Sequence, residues 1–404
     1  MKRPFLVLSM IIMHNSPSGE IWFYSDKERP YGVFSNFYPV TLKITNSLGE
    51  IKEYPNSEAY FQAEKFTGPD ATEDQLEYAE LIRSQNTGNK AAVLARQKKP
   101  YRAYQEAQWV RDLWQIIQDY QARGVTIRSD WEDVKDNVMR RVVYQKFAQS
   151  ELLRKILLDT GDKLIFEHTH RDSYWADGHP YNNSNIHGDG KNMLGIILEE
   201  VRYLLGGWPS TRLCRVPFEY SNWVIPGMLL MSGCPRRQNY LEIKNVGIRY
   251  FVSLMEYQQE REAWVDYRDE GVPEKGGDFC YQSKGITVAR WGIKDRSVTS
   301  DDKANHITLR VIKAIGRGCP VMIHCFGGKG RAGTITSLVI GLMYGVDGHT
   351  AMDMAQRLFD DYRPNKGTKV AGRKGAPKGL KRDIPQTKSQ VDQVIRILDI
   401  GLGY

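Results

Sequence analysis

Apolar and polar positions along this chain follow two periods, and the change from one to the other divides it into elements. Ile21–Ser25 reads as a strand entering a turn at 26–31, and Val40–Thr45 alternates as a second strand. Asn46-Ser-Leu-Gly49 makes a turn, so Glu50–Tyr54 becomes the return strand of a hairpin. Pro55-Asn-Ser57 prepares a helix with Ser57 as N-cap, and Glu58–Phe66 supplies its first turns. Residues 73–120 carry helical composition with a break near Thr87-Gly88-Asn89, and 124–128 is a short loop. Another helix runs from Asp130 through Phe147. Glu151–Leu158 is strongly amphipathic and stops at Asp159-Thr160-Gly161, where the glycine suits a C-terminal cap. Lys163–His168 is a strand, Asp172–Gly178 a polar and aromatic loop, and Leu194–Leu205 a final helix.

A glycine- and proline-punctuated linker, residues 207–216, separates this half from the next. Phe218–Gly233 reads as short strands, and Gly247–Leu254 as a continuous apolar strand of the kind buried in an α/β sheet. Residues 257–278 form a charged excursion. Gly285–Val298 is a strand that runs into a loop carrying Asp295. Asp301 and Asp302 read as the cap of a helix over Lys303–Ile315, and Val321–His324 is a second apolar strand. Helical patterns follow over Thr334–Met343 and Thr350–Tyr362. The predicted organisation is an N-terminal extension over 1–19, an α+β, mostly helical domain over 20–206, the linker, and an α/β domain over 217–404 with a central sheet flanked by helices.

Composition adds less. With 404 residues, 41% hydrophobic and 26% charged, the chain has room for two sizeable cores. A formal net charge of +8 favours anionic partners: nucleotides, phosphorylated molecules or nucleic acid. The five cysteines have no CxxC pair and no metal spacing, which suits reduced thiols and a cytoplasmic setting, with no metal or cofactor expected. Lys2-Arg3 before the apolar run Pro4–Met13 mimics a short secretory signal, but no small-x-small cleavage site follows. The other readings of that run are a later start at Met10 or Met13, or a first strand. No stretch approaches the length of a membrane helix, so no membrane partner is expected.

The sharpest chemical signal is His324-Cys325-Phe326-Gly327-Gly328-Lys329-Gly330-Arg331-Ala332, between an apolar strand and a helix. Strand, glycine loop and helix start aim backbone N–H groups and the helix dipole at one point, an anion cradle. A thiol at a helix N-terminus ionises more readily, and an arginine can hold two phosphate oxygens at once. The Cys-x5-Arg spacing resembles the catalytic loop of protein tyrosine and dual-specificity phosphatases. That resemblance covers about residues 217–400 and implies Cys325 as nucleophile and Arg331 as oxyanion ligand. The other loop residues would bind the phosphate, with Lys329 adding charge at the pocket floor. Trp291-Gly-Ile-Lys-Asp295 resembles the general-acid loop, which makes Asp295 the proton donor in preference to Asp301 or Asp302. Ile384–Val391 resembles the segment that presents a water-orienting glutamine, here Gln386. Ala332 stands where a serine or threonine hydroxyl often assists the departing thiolate. Lys366–Arg382 carries seven basic residues and no acidic one just before this segment, and it reads as a loop leaning over the pocket towards a polyanionic substrate.

In the first half, Glu58, Gln62 and Lys65 recur at i, i+4 and i+7 on one helical face, among Tyr60, Phe61, Phe66, Phe34 and Phe37, aromatic enough to wall a flat heterocycle pocket. The ordered blocks Phe23-Tyr-Ser25, Phe34-Ser-Asn36-Phe37, Ser57-Glu58, Tyr60-Phe-Gln-Ala63, Lys65-Phe66, Trp131, Met139, Lys146-Phe147, Trp175-Ala-Asp177-Gly178 and Gly190-Lys-Asn192-Met-Leu-Gly195 resemble the YbiA-like, or NADAR, family over roughly residues 20–206. The resemblance implies an N-glycosidase for riboflavin-pathway intermediates or for ADP-ribose on guanine bases. Glu58 and Asp177 are the carboxylates that suit an oxocarbenium-like transition state, Lys65 a candidate amine nucleophile, and Trp175 and the early phenylalanines candidate base-stacking groups. Asn36, Gln62, Trp175 and Asn192 are the candidate substrate contacts. Ala59 replaces the family's usual histidine, and 98–127 is longer than usual.

The whole chain then reads as a bifunctional hydrolase, acting on an ADP-ribosylated or ribosyl-nucleotide substrate and on a phosphorylated small molecule or protein. The alternative is an N-terminal ADP-ribose or nucleic-acid reader that delivers a protein phosphatase.

Overall fold

The computed structural model describes residues 19–98, 107–179, 188–208, 216–262, 279–283, 286–362 and 383–399. The apolar run near the start and the basic 366–382 segment lie outside the described residues. In the first half the chain forms β1 (Glu20–Phe23), β2 (Leu42–Thr45), β3 (Ile51–Tyr54), α1 (Ser57–Ala63), α2 (Glu73–Arg83), α3 (Gly88–Arg96) and α4 (Gln108–Ala122). These are followed by α5 (Trp131–Gln149), α6 (Glu151–Leu158), β4 (Leu164–Glu167) and α7 (Met193–Leu204). The hairpin forms as expected, Leu42 pairing with Tyr54 and Thr45 with Ile51. β1 and β4, far apart in sequence, pair in parallel.

One cap is corrected. Ser57 is the first residue of α1, and Asn56 caps it, its Oδ1 accepting the Ala59 N–H at 2.8 Å. An Asn side chain reaches the N3 amide as well as a Ser would, so the sequence signal was right in kind and one residue late.

The second half contains β5 (Ser221–Ile225), β6 (Leu229–Ser232), α8 (Tyr240–Asn245), β7 (Tyr250–Ser253), α9 (Tyr257–Glu262), β8 (Phe279–Ser283), β9 (Ile286–Arg290) and α10 (Asp301–Gly316). Beyond them come β10 (Val321–His324), α11 (Arg331–Tyr344), α12 (Gly348–Tyr362) and α13 (Lys388–Asp399). The sheet order is β5-β6-β10-β7-β9-β8, with β6, β10, β7 and β9 mutually parallel and both edge strands antiparallel. Burial on both faces explains the continuous apolar runs: Val321 and Ile323 pack on one side of the sheet and Met322 on the other. Ser300, not Asp301 or Asp302, caps α10, while Asp301 pairs with Arg396 at 2.7 Å and accepts from Gln393 at 2.9 Å.

The two halves share one hydrophobic core, with α5 as the seam. Asp133 of α5 accepts from Arg317 Nε and Nη2 at 2.8 and 2.7 Å, and Asn137 Nδ2 donates to Ile312 O at 3.0 Å. Gly316 lies so close to α5 that a Cβ there would stand 1.9 Å from Asp133 O. Further along α5, the Arg141 guanidinium donates to Leu342 and Met343 carbonyls, and Gln145 Nε2 to Tyr344 O at 2.7 Å. These are the last carbonyls of α11, which its own turns leave unpaired and where a cation is favoured by the helix dipole. Arg357 of α12 completes the seam on the Tyr203 and Leu204 carbonyls at 3.0 and 2.7 Å. Among the described residues no helix is long and apolar enough to cross a membrane.

Candidate active sites

The first site is built at the carboxyl end of β10, in the middle of the sheet. Cys325, 2% exposed, follows the strand directly, and the loop turns back through Gly328 at φ +70°. A Cβ at Gly328 would stand 2.5 Å from Gly233 N, so only glycine allows both the left-handed turn and the approach to the loop after β6. The loop ends at the N-terminus of α11, whose side chains are all buried. A helix fixed this firmly holds its free N–H groups in place without a ligand, which is what an anion cradle needs.

Arg331 is 2% exposed and tightly held. Its Nη1 donates to Gln259 Oε1 at 2.7 Å, Ile293 O at 2.9 Å and Leu254 O at 3.3 Å. Its Nη2 lies 2.8 Å from Asp295 Oδ1, an ion-pair contact without hydrogen-bond alignment. Arg331 and Asp295 are thus brought together although 36 positions separate them in the chain. Asp295 is half exposed on the loop after β9, where a proton donor to a leaving group must be reachable. Gln386 lies beside the loop, its Oε1 3.4 Å from where a Cβ on Gly330 would be, and Gln390 touches the same point at 3.0 Å. Gln390, overlooked in the sequence, ties this segment to the acid loop through Ser297 O at 3.0 Å. Only the fold could reveal it, because a glutamine on an amphipathic helix carries no local mark.

Other loop residues part from expectation. Lys329 is engaged by neighbours: its Nζ pairs with Asp383 at 2.7 Å and sits 5.4 Å over the Phe359 ring. An ion pair and an aromatic face together fix its ammonium. Phe326 is 62% exposed at the mouth, and Gly327 faces open space. His324 is buried, and that burial pushes its imidazole down to about 3, so it serves as a neutral hydrogen-bonding group behind Cys325. Ala332 is buried and offers no hydroxyl, while Thr334 Oγ1 donates back to Gly330 O at 3.0 Å.

The second site lies between α1, α5 and the loop after β4. Glu58 and Gln62, both 7% exposed, meet at 2.6 Å, and the Glu58 N–H donates to Asn36 O at 3.0 Å. Asn36 also reaches Met139 Sδ of α5 at 3.4 Å, and Lys146 Nζ donates to Ser35 O at 2.7 Å. Two turns of α5 therefore hold the strip that orients Glu58. Gly88, at the start of α3, packs on the Glu58 side chain, where a Cβ would come within 3.0 Å. Burial raises the Glu58 carboxyl above its ordinary range, against the opposing pull of Gln62 and Lys65. Lys65, just beyond α1, stands 5.8 Å over Phe61 and 5.7 Å over Trp131, and burial pushes its ammonium down to about 8. Trp175 meets Phe61 edge to face at 5.3 Å.

The aromatic wall is therefore Phe61, Trp131 and Trp175. Tyr60, Phe66 and Phe34, expected there, are wholly inside the core, because Tyr60 on α1, Phe66 on the turn after it and Phe34 on the turn before it face β3, α2 and α5. Asn192 is also used differently: its Nδ2 donates to Ile165 O at 2.8 Å and its Oδ1 accepts the Glu167 N–H at 3.0 Å. It is the tie between α7 and β4. Asp177 is likewise engaged, by His168 Nδ1 at 2.7 Å and the His179 N–H at 3.1 Å. Among the described residues no cluster of His, Cys, Asp or Glu is arranged for a metal ion.

Comparison with known proteins assigns the two halves to separate families. The model of the NADAR domain matches residues 22–206, and that of the Swiss Army Knife protein, DSP-PTPase phosphatase domain, matches residues 218–369. N-glycosidase YbiA of Escherichia coli (strain K12) is 34% identical over 191 residues, which is 47% of this chain and 91% of that protein. N-glycosidase Npun_R5314 of Nostoc punctiforme is 31% identical over 185 residues, 46% of this chain and 94% of that protein. The solved structure of E. coli YbiA aligns with a TM-score of 0.33 at 34% identity, covering 48% of this chain and 89% of that one. The chain thus belongs to the NADAR family through its first half, and its second half is a phosphatase domain of the dual-specificity and tyrosine phosphatase type, so that both halves come from hydrolase families.

Proposed function

We propose that this protein is a bifunctional hydrolase of the cytoplasm that releases a base from a ribosyl or ADP-ribosyl conjugate and removes a phosphate from a phosphorylated nucleotide or protein. The observation that carries the phosphatase reading is the buried Arg331, six positions after Cys325 on the same loop and 2.8 Å from Asp295. Cys325 as thiolate attacks phosphorus, and the loop amides with Arg331 hold the equatorial oxygens as charge builds on them. Asp295 gives its proton to the leaving oxygen. Water oriented by Gln386 then cleaves the phosphocysteine and returns a proton to Asp295. Asp295→Asn is expected to lower kcat by about 10²–10⁴-fold for alkyl phosphates and far less for a nitrophenyl ester, which leaves without a proton. Equal losses on both esters would remove the acid role.

The glycosidase reading rests on a buried carboxylate, Glu58, and an amine, Lys65, facing one aromatic wall. Glu58 stabilises positive charge on the opening sugar, and Lys65, with a large neutral fraction near pH 8, is fit to capture C1′ as a Schiff base. Base release from ADP-ribosylated guanine DNA is expected to fall at least about 10²-fold in both Glu58→Ala and Lys65→Ala. Trapping by borohydride reduction reads the Lys65 role separately. Undiminished release by both variants would leave the domain as a reader.

A further inference from the structure

The N-terminal site holds one more carboxylate than its chemistry has used. Glu167 ends β4, and its backbone is clamped on both sides: its N–H by Asn192 Oδ1 at 3.0 Å, its carbonyl by the Asp177 N–H at 3.0 Å. Its side chain, by contrast, has neither hydrogen bond nor ion pair among the described residues, yet the residue keeps only partial exposure. Asp177, the carboxylate chosen from sequence, is instead held by the His168 imidazole and the His179 N–H. A carboxylate held by several donors is fixed in place, whereas an unpartnered, partly exposed one is free to exchange a proton with a ligand. Two further buried groups point to that ligand: Asn36 Oδ1 and Gln62 Oε1, on either side of Glu58, have no partner.

We propose that Glu167 is the proton donor to the departing base, a role that rests on the glycosidase reading above. As the C1′–N bond breaks, its electron pair moves to the base nitrogen, which takes the proton from the Glu167 carboxyl. Glu58 stabilises the ribosyl cation. Water, adding to C1′ directly or to the Lys65 imine, gives up a proton to the Glu167 carboxylate and restores the acid. The groups around Glu167 support this division. Glu58 of α1 and Asp172 and Asp177 of the following loop are its acidic neighbours, while Glu199 of α7 accepts the Ile165 N–H at 2.9 Å. Burial first, and then Asp172, Glu58 and Asp177, push the Glu167 carboxyl up to about 8. It is the protonated form that fills as pH falls through that value, so the acid is loaded at neutral pH.

The test is a series of ribosyl conjugates graded by the pKa of the leaving base, assayed with wild type, Glu167→Gln and Glu58→Ala. Wild type should give a shallow dependence of log kcat on that pKa and a fall in rate above about pH 8. Glu167→Gln should steepen the dependence, cut kcat by about 10²–10⁴-fold for the poorest leaving bases, and lose the alkaline fall. Glu58→Ala should lower every conjugate with an unchanged slope. An unchanged slope and pH profile in Glu167→Gln, with wild type active, would overturn the donor role alone. No base release by wild type from any conjugate would overturn the glycosidase reading and this proposal together.

Discussion

Cys325→Ser is expected to abolish phosphate-monoester hydrolysis, lowering kcat by about four orders of magnitude or more, while base release by the N-terminal domain is unaffected. The serine hydroxyl fits where the thiol was, but at neutral pH it stays protonated and is a far weaker nucleophile than a thiolate. The cradle does not depend on the sulfur. Its N–H groups belong to a loop fixed by Gly328 against Gly233 and to a helix whose side chains are all buried. The same variant should therefore still bind orthophosphate with wild-type affinity, read by calorimetry at moderate salt. Residual turnover of an aryl phosphate within tenfold of wild type would refute the thiolate mechanism. Loss of phosphate binding along with turnover would mean that the substitution had disturbed the cradle.

Gly316→Val is expected to destabilise the whole chain by about 3 kcal/mol or more, since overpacking against backbone has no flexible neighbour to yield. The Cβ would meet Asp133 O at 1.9 Å and Asn137 Nδ2 at 3.1 Å, so α10 and α5 must separate. With them go the Arg317–Asp133 pair and the packing behind it. Because the two halves share one core, wild type should melt in a single calorimetric transition, and Gly316→Val should melt lower by on the order of 5–10 °C and split into two. Two transitions already present in wild type, or an unmoved midpoint in the variant, would contradict a shared core.

The same seam has a bearing on the two sites. α5 carries Met139 and Lys146 towards Asn36 and Ser35 on one side, and Arg141 and Gln145 towards the last carbonyls of α11 on the other. One helix thus supports the strip that orients Glu58 and the far end of the helix that presents the phosphate cradle. In sequence these four residues are spread through a segment whose polar and apolar positions do not separate into two faces. The reason appears only in the fold: α5 is buried on several sides, so its polar side chains are not a solvated face but ties to backbone carbonyls and neighbouring side chains.

Local chemistry explains what could be read from the chain alone. The Cys325–Arg331 loop is contiguous, Gly328 takes the left-handed turn that a glycine allows, and strand and helix on either side follow from period, so the strand–loop–helix frame that holds Cys325 and Arg331 was legible. The hairpin, the buried apolar strands of the second half and the face bearing Glu58, Gln62 and Lys65 were legible for the same reason. Tertiary structure alone decided whatever depends on partners distant in sequence. It paired Lys329 with Asp383 and Phe359, placed Tyr60, Phe66 and Phe34 in the core, and bound Asp177 and Asn192 to neighbouring groups. It left Glu167 without a partner among the described residues, and it joined two apparently separate domains through Gly316 and Arg141. A side chain's type and spacing set what it can do, but whether it is free to do so depends on which donors, acceptors and surfaces the fold brings against it.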